Sequence, residues 1–188
     1  METEIKNQIE LLQNEVNALK EKISSLENSR KEQLSLAIVS GEMDKILAAM
    51  VLALAAAGSD LKVKLFFSFW SLSALRDPKK TAKGKDLISK MFGFMLPKGK
   101  NKLKLSHFHM GGLGAKMINS LMKKNRVYSL DEMFNLAADL EIEITICEMS
   151  MGLMGFQREE LIDYPYLRIA GAATFINEAN ESSIQLFI

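Results

Sequence analysis

Apolar residues recur at heptad spacing through the first thirty residues of the chain. Seven residues form this stripe, at the two apolar positions of the heptad: Ile9, Val16 and Ile23 at the first, and Ile5, Leu12, Leu19 and Leu26 at the second. β-Branched residues at the first position and leucine at the second favour a parallel two-stranded coil. The pattern predicts an N-terminal coiled-coil helix over residues 1–32 that self-associates through residues 5–27.

Charged residues beside this stripe are compatible with a parallel pair of helices. Glu15 would face Lys20 of a second copy, and Lys22 would face Glu27. Each such pair contributes only about 0.2–0.5 kcal/mol. The alternative is an amphipathic helix folded onto its own domain, and Leu11 is apolar but lies off the stripe.

From residue 33 onward, strand patterns alternate with helix patterns. Short apolar runs predict strands at 34–40, 61–70, 141–147, 167–170 and 183–188. Helical spacing predicts helices at 43–57, 86–95, 115–125, 130–140 and 171–179, with a short one after residue 147. Ser129 and Glu132 form a capping box at the start of the fourth of these helices. Strands separated by helices imply a three-layer α/β/α domain over residues 33–188, with a mostly parallel sheet of about five strands.

Composition and charge narrow the class of protein. The 188 residues carry 24 Lys and Arg against 23 Asp and Glu, and 48% are hydrophobic, which is ordinary globular usage. The longest apolar run, 46–57, has twelve residues, whereas a bilayer-spanning helix needs about 20. Residues 1–30 lack the continuous apolar stretch of a signal peptide. We expect a soluble, cytoplasmic protein that binds neither nucleic acid nor membrane.

Charge is uneven along the chain, because residues 76–104 contain ten basic and two acidic residues. A solvated loop is the simpler interpretation of this basic stretch. The functional interpretation is an electrostatic field that attracts a small anion or an acidic partner protein.

The candidate chemistry centres on Cys147, the only cysteine of the chain. One cysteine excludes an internal disulfide and a Cys-rich zinc site, and His107 and His109 are too few for a histidine metal cage. Cys147 closes a predicted strand and opens a predicted helix, where helix N–H groups favour the thiolate. The alternative is a small buried hydrophobe, and the adjacent Glu148 would oppose ionisation of the thiol.

Ser40 and Gly41 follow the first predicted strand and so lie at a carboxyl end, the usual ligand side of a parallel sheet. The glycine-rich segment 107–116 enters a helix and could hold an anion through its N–H groups, with a tight packing turn as the alternative. The candidate substrate-binding residues are Ser40, Gly41, Gly111, Gly112, Gly114, Lys116, Met149 and Ser150. We predict no metal site and no cofactor.

Six colinear segments resemble the DsrE/DsrF-like family of small sulfur-carrier proteins, in its larger branch. They are FFSFWSLSALR at 66–76, MLPKG at 95–99, LSHFHMGGLGAKM at 105–117, CEMSMGLMG at 147–155, EELID at 159–163 and the terminal LFI. The pattern CxMSMxxMG at 147–155 is the most specific of them. The resemblance covers residues 34–188 and leaves the heptad segment outside.

The resemblance implies a parallel sheet between helices and a homo-oligomer. It also implies that Cys147 carries sulfane sulfur as a persulfide and exchanges it with donor and acceptor proteins that bear a thiol or persulfide. Whether that makes the chain a sulfurtransferase or a passive carrier stays open. Glu148 departs from the neutral glutamine usual after the cysteine in this branch. The alternative function is a non-catalytic, oligomeric binding or assembly protein with a nucleotide- or coenzyme-binding crevice.

Overall fold

The computed structural model describes residues 2–28, 32–82 and 87–188, with side chains described for 5–24, 32–82, 87 and 89–188. The chain divides into two compact units, residues 1–31 and residues 32–188. Parts of the sequence predictions that concern the side chains of Leu26 and Glu27, and the helix start at Asp86, lie outside the described residues.

The first unit is one helix, α1 (Glu2–Asn28). Its sequence contains six Glu and four Leu, both good helix formers, and has no glycine or proline. The described apolar residues of the heptad stripe are all exposed: Ile5, Ile9, Leu12, Val16, Leu19 and Ile23. The predicted N-terminal helix is therefore confirmed, whereas its pairing with a second copy stays a prediction.

The second unit is built on a five-stranded sheet in which every neighbouring pair is parallel. Its strands are β1 (Gln33–Ile38), β2 (Lys62–Phe67), β3 (Glu143–Cys147), β4 (Leu167–Ala170) and β5 (Ile184–Phe187). Their order is β4-β3-β2-β1-β5. The α/β fold class predicted from the sequence is confirmed.

Helices connect the strands and cover the two faces of the sheet. They are α2 (Met43–Ala57), α3 (Leu87–Met95), α4 (Leu113–Lys124), α5 (Leu130–Asp139), α6 (Glu148–Leu153) and α7 (Ala172–Asn180). A 3-10 helix, Phe69–Leu75, follows β2 directly. The predicted capping box of α5 is present, since Ser129 and Glu132 each bond the other's backbone N–H group.

The core lies on the face of the sheet covered by α2 and α5, which pack against each other. Apolar side chains from alternate strand positions, such as Leu36, Phe67 and Ile146, are fully buried there. The small alanines of α2, among them Ala49 and Ala53, are also fully buried. Burying each large side chain of this core contributes about 1.5–3 kcal/mol.

The opposite face carries more polar groups and is covered by α7. Phe175 of α7 stacks on Phe66 with ring centroids 5.0 Å apart. Glu178 of α7 forms an ion pair with Arg168, whose Nε donates to the Thr145 hydroxyl at 2.7 Å. These pairs satisfy polar groups that α7 would otherwise bury without partners.

The strand predicted over 61–70 is shorter in the structure, because β2 ends at Phe67. Ser68 donates its N–H to the Ile38 carbonyl at 2.9 Å and to the Ser71 hydroxyl at 3.0 Å, and the 3-10 helix begins at Phe69 with a positive φ of 48°. The apolar run FFSFW hides this change, since its periodicity cannot separate a buried strand from a buried turn.

Gly41 permits close packing between the end of β1 and the 3-10 helix. A Cβ at this position would lie 2.5 Å from the carbonyl oxygen of Trp70, which is a backbone atom and cannot move alone. We predict that Gly41→Ala lowers the free energy of unfolding by about 1–3 kcal/mol, as overpacking of a core does. Chemical denaturation measures this difference.

Gly152→Ala is the matched control for this substitution. Gly152 lies within α6, and a Cβ at this position would have no other group within 4 Å, so alanine should leave stability unchanged or raise it by up to about 1 kcal/mol. Equal stabilities of the two variants would contradict the assigned contact between Gly41 and Trp70.

Candidate functional site

The register of the three central strands aligns the residues of the site. Ile38 pairs with Phe67, and Phe67 pairs with Ile146, so these three residues form one row across the sheet. The next position along β3 is Cys147, and the residue that follows β2 is Ser68. The carboxyl ends of β2 and β3 therefore bring Ser68 and Cys147 side by side.

Cys147 is the last residue of β3 and the N-cap residue of α6. Side chains alternate along a strand, and Ile144 and Ile146 belong to the core under α2 and α5. Cys147 therefore faces the other side of the sheet. Only 2% of this residue is exposed.

Two serine hydroxyls from different elements meet beside the thiol. The Oγ atoms of Ser68, at the end of β2, and Ser150, in the first turn of α6, are 2.8 Å apart. Ser150 is fully buried and Ser68 is 7% exposed. The hydrogen bond joins α6 to the segment after β2 and keeps both hydroxyls next to Cys147.

A third serine, Ser71, fixes the position of Ser68. The Ser71 hydroxyl donates to the carbonyl of Ile38 at 2.6 Å and accepts the N–H of Ser68 at 3.0 Å. This buried hydroxyl therefore joins the end of β1 to the end of β2. The loop that carries Ser68 is held to the sheet by hydrogen bonds as well as by packing.

Opposing effects act on the ionisation of the thiol. Burial raises the pKa of Cys147, but hydrogen bonds from the side chain and backbone of Ser150, the Ser68 hydroxyl and the Met149 N–H lower it by more. The net result is a pKa below the ordinary value of a cysteine thiol. Hydrogen bonds to the charged form stabilise the thiolate, which is the nucleophilic form.

The helix after the cysteine acts through individual N–H groups. α6 has only six residues, so the long-helix dipole invoked from the sequence is a small part of the effect. Glu148 is exposed, and no charged side chain is among the main influences on the pKa of Cys147. The structure thus gives Glu148 a smaller effect on the thiol than its position in the sequence suggests.

The other candidate residues from the sequence divide into two groups. Ser40 and Gly41 follow β1 and adjoin the site through the contact of Gly41 with Trp70, and Met149 is exposed beside Cys147. Gly111 and Gly112 have positive φ and precede α4, where Lys116 is exposed. Gly114 packs against the Phe108 carbonyl with no room for a side chain. Gly111 and Gly112 thus form a tight turn before α4, whereas Gly114 and Lys116 lie in the first turn of α4 itself, and none of the four takes part in the described hydrogen bonds around Cys147.

Several cations of the basic stretch have structural partners. Arg76 is buried, lies over the ring of Phe156, and donates to the carbonyls of Gly93, Leu96 and Pro97. Lys80 pairs with Asp163, and Lys100 pairs with Asp131. The field that this stretch presents to solvent is therefore weaker than its sequence charge indicates.

The histidines have local hydrogen-bond roles. His109 Nδ1 lies 3.4 Å from the N–H of Leu105, and His107 Nδ1 lies 3.0 Å from the Ser106 hydroxyl. Within the described ranges, no group of three or more His, Cys, Asp or Glu side chains is arranged to hold a metal ion.

No helix among the described residues combines the length and apolarity needed to cross a membrane.

Ser68 and Ser71 belong to the site but are not among the residues predicted from the sequence. Their spacing in SFWS, directly after a predicted strand, is a signal that could have found them, because serines three residues apart often cap a helical turn. Ser68 and Ser150 are 82 positions apart in the chain, and their proximity depends on the pairing of β2 with β3.

We predict that Cys147 titrates below the ordinary pKa of a cysteine thiol. The ultraviolet absorbance of the thiolate, recorded against pH, measures this directly, because the chain has one cysteine and Cys147→Ser supplies the blank. Since the folded state loses its proton at lower pH than the unfolded state, wild type should gain stability relative to Cys147→Ser as pH rises from the folded to the unfolded pKa. Titration at or above the ordinary value would contradict the assigned hydrogen bonds.

Comparison with known proteins shows which sequences this chain is similar to. The model of the DsrE/DsrF/DrsH-like family matches residues 30–187. An uncharacterized protein, YrkE, of Bacillus subtilis (strain 168) is 36% identical over 157 residues, which are 84% of this chain and 97% of that protein. The sulfur carrier protein DsrE2 of Allochromatium vinosum is 32% identical over 163 residues, covering 84% of this chain and 99% of that protein.

Proposed function

The chain belongs to the DsrE/DsrF/DrsH-like family, and on that premise we propose that it carries sulfane sulfur as a persulfide on Cys147. Family membership and the similarity to a named sulfur carrier support a sulfur-related role. The proposed partners are donor and acceptor proteins that present a persulfide or a thiol. One cysteine suffices for this chemistry, because the partner supplies the second sulfur.

The observation that carries this proposal is the position of the buried thiol beside two buried serine hydroxyls, whose Oγ atoms are 2.8 Å apart. Donors from Ser68, Met149 and Ser150 favour the thiolate at Cys147 against the effect of burial. A thiolate attacks sulfane sulfur, whereas a neutral thiol does not. With thiosulfate as donor, Sγ forms a bond to the outer sulfur, the S–S bond of thiosulfate breaks, and sulfite leaves with the electron pair.

The burial of Cys147 constrains how a partner reaches it. With 2% of the residue exposed, a protein thiol contacts Sγ only after neighbouring residues move. The first turn of α6 is the accessible part of the site, since Met149 is exposed directly after Glu148. We propose that partner proteins approach over this turn.

Sulfur loading is the direct test of the carrier function. Wild type and Cys147→Ser are incubated with thiosulfate, tetrathionate or polysulfide and examined by intact-protein mass spectrometry without reductant. We expect wild type to gain the mass of one or more sulfur atoms and to lose that mass on reduction. We expect the mass of Cys147→Ser to stay unchanged. Absence of an adduct with every donor would contradict the proposal.

A non-catalytic binding or assembly protein is the second candidate function, and a cavity beside α4 and α5 favours it. The cavity has a volume of about 530 Å³, with Met122, Val127 and Leu130 among its apolar walls and Lys123 and Arg126 among its cations. Pockets of this size bind small molecules, and the cations in the wall suit a small organic anion. A nucleotide or coenzyme that copurifies with the protein, together with failure of sulfur loading, would favour this function.

We also propose that α1 forms a parallel coiled coil with a second copy of the chain. The exposed apolar stripe of α1 needs an apolar partner. In a parallel pair, Glu15 of one copy faces Lys20 of the other, so the charges flanking the stripe attract.

Neighbouring leucines of α1 provide a matched test of this coil. Leu12 lies on the stripe and Leu11 does not, yet they are similarly exposed, at 60% and 63%. We predict that Leu12→Asp shifts the protein toward a smaller oligomer, because it places a charge in the apolar seam, and that Leu11→Asp does not. The mass in solution, measured by light scattering or sedimentation, reports the result.

Removal of residues 1–30 extends this test. An unchanged oligomer after the deletion would mean that the heptads do not set assembly. A change in stability without a change in mass on Leu12→Asp would favour the alternative, a helix folded onto its own domain.

A further inference from the structure

The hydroxyl protons beside Cys147 can be counted from the hydrogen bonds. Ser68 and Ser150 each supply one proton, and one of the two must lie between their Oγ atoms, which are 2.8 Å apart. One proton is therefore left over, whichever serine donates to the other. Because both serines are buried, that proton needs an acceptor within the protein.

The remaining proton points to the sulfur as its acceptor. Ser68 lies beside Cys147 at the paired ends of β2 and β3, and Ser150 lies in the first turn of the helix that Cys147 caps. Ser71, the third serine of the cluster, already donates to the Ile38 carbonyl at 2.6 Å. Ser150 can donate to Sγ while it accepts from Ser68, and Ser68 can donate to Sγ while it accepts from Ser150. In both arrangements, Sγ receives one hydroxyl hydrogen bond.

We propose that Ser68 and Ser150 form a proton-sharing pair that stabilises Cys147 as a leaving thiolate and so favours release of bound sulfur over its retention. The proposal rests on the carrier function proposed above and assigns positioning roles to both serines. It makes the two serines interchangeable donors, since either can supply the single hydroxyl proton.

The release step balances without an added oxidant. An acceptor thiolate attacks the terminal sulfur of the Cys147 persulfide, and a new S–S bond forms between the acceptor and that sulfur. The bond between the terminal sulfur and Sγ breaks, its electron pair goes to Sγ, and the persulfide proton stays with the transferred sulfur. Charge develops on Sγ, where a hydrogen bond from a hydroxyl strengthens.

The same hydrogen bond has opposite effects on the two half-reactions. A thiolate of lower basicity is a better leaving group but a weaker nucleophile. The pair therefore speeds transfer from Cys147 to an acceptor and slows the attack of fully ionised Cys147 on a donor. This opposition distinguishes the pair from residues that merely maintain the fold.

The charged groups around the thiol remain the same in all variants of these serines. Glu148 begins α6 and is exposed, and the 3-10 helix that follows Ser68 contains no charged residue. Earlier on the same face of the sheet, Arg168 and Lys64 are paired with Glu143 and Glu178. A change in titration on removing the hydroxyls is thus attributable to the hydroxyls.

The first measurement is thiolate titration of Ser68→Ala, Ser150→Ala and the double variant in the full chain. Each single variant should change the thiolate-to-thiol ratio at fixed pH by less than about 1.5-fold, because the remaining hydroxyl still donates to Sγ. The double variant should lower that ratio by roughly tenfold or more, since a hydrogen bond to a charged group is lost. Ser73→Ala is the matched control, because Ser73 is buried in the 3-10 helix that follows Ser68 and its hydroxyl has no hydrogen-bond partner among the described residues.

The second measurement separates the two half-reactions of the loaded protein. At a pH where the thiol is fully ionised in all variants, loading from thiosulfate should be as fast or faster in the double variant. Release of the sulfur to a small thiol should be slower, by roughly threefold for each tenfold loss of thiolate stability, on the Brønsted sensitivity of thiol exchange. Ser73→Ala should match wild type in both reactions.

Distinct results overturn the pair and the carrier function. The proton-sharing pair is overturned if the effects of the two single variants on the thiolate-to-thiol ratio are additive, or if the double variant titrates like wild type. Either result counts whether or not the protein takes up sulfur. The double variant can change the thiolate-to-thiol ratio by more than the two single variants combined while wild type takes up no sulfur from any donor. That result supports the shared proton, but it overturns the carrier function and therefore the role of the pair in release. If the double variant does not fold, the single variants test the pair. A single variant that by itself lowers the thiolate-to-thiol ratio by roughly tenfold contradicts interchangeable donors.

Discussion

The parallel register of β1, β2 and β3 is the constraint on which the site depends. It sets Ile38, Phe67 and Ile146 in one row across the sheet, so that Ser68 and Cys147 follow together at its carboxyl end. A shift of one residue in either pairing would reverse the faces of the side chains and separate Ser68 from Cys147. The apolar residues buried under α2 and α5 specify the register. The same register places Ser68 next to Cys147 on the other face of the sheet.

Hydrogen bonding makes a polar cluster tolerable at the buried end of these strands. The hydroxyls of Ser68, Ser71 and Ser150 have partners at 2.6–3.0 Å, so their burial does not leave polar groups unsatisfied. The same bonds counter the effect of burial on the pKa of Cys147. The thiol is thereby shielded from solvent and still biased toward its nucleophilic form.

The two units of the chain have separable physical roles. The family match spans residues 30–187, so α1 lies outside it, and α1 contains neither cysteine nor any residue of the site. Its exposed apolar stripe is suited to association, whereas residues 32–188 contain the whole hydrogen-bond network around Cys147. The coil of the proposed assembly can therefore be altered without changing a residue that contacts the thiol.

The sequence determined the features that depend on local spacing. The heptads predicted α1, and the apolar runs with their breaks predicted the order of strands and helices. The capping box predicted the start of α5, and the position of Cys147 at the end of a strand was also predicted. Tertiary structure decided the end of β2 at Phe67, the burial of Arg76 against carbonyls, and the meeting of Ser68 with Ser150. Local patterns record which face of an element is apolar, but a hydroxyl, guanidinium or thiol acquires its partner only when distant strands pair in one register.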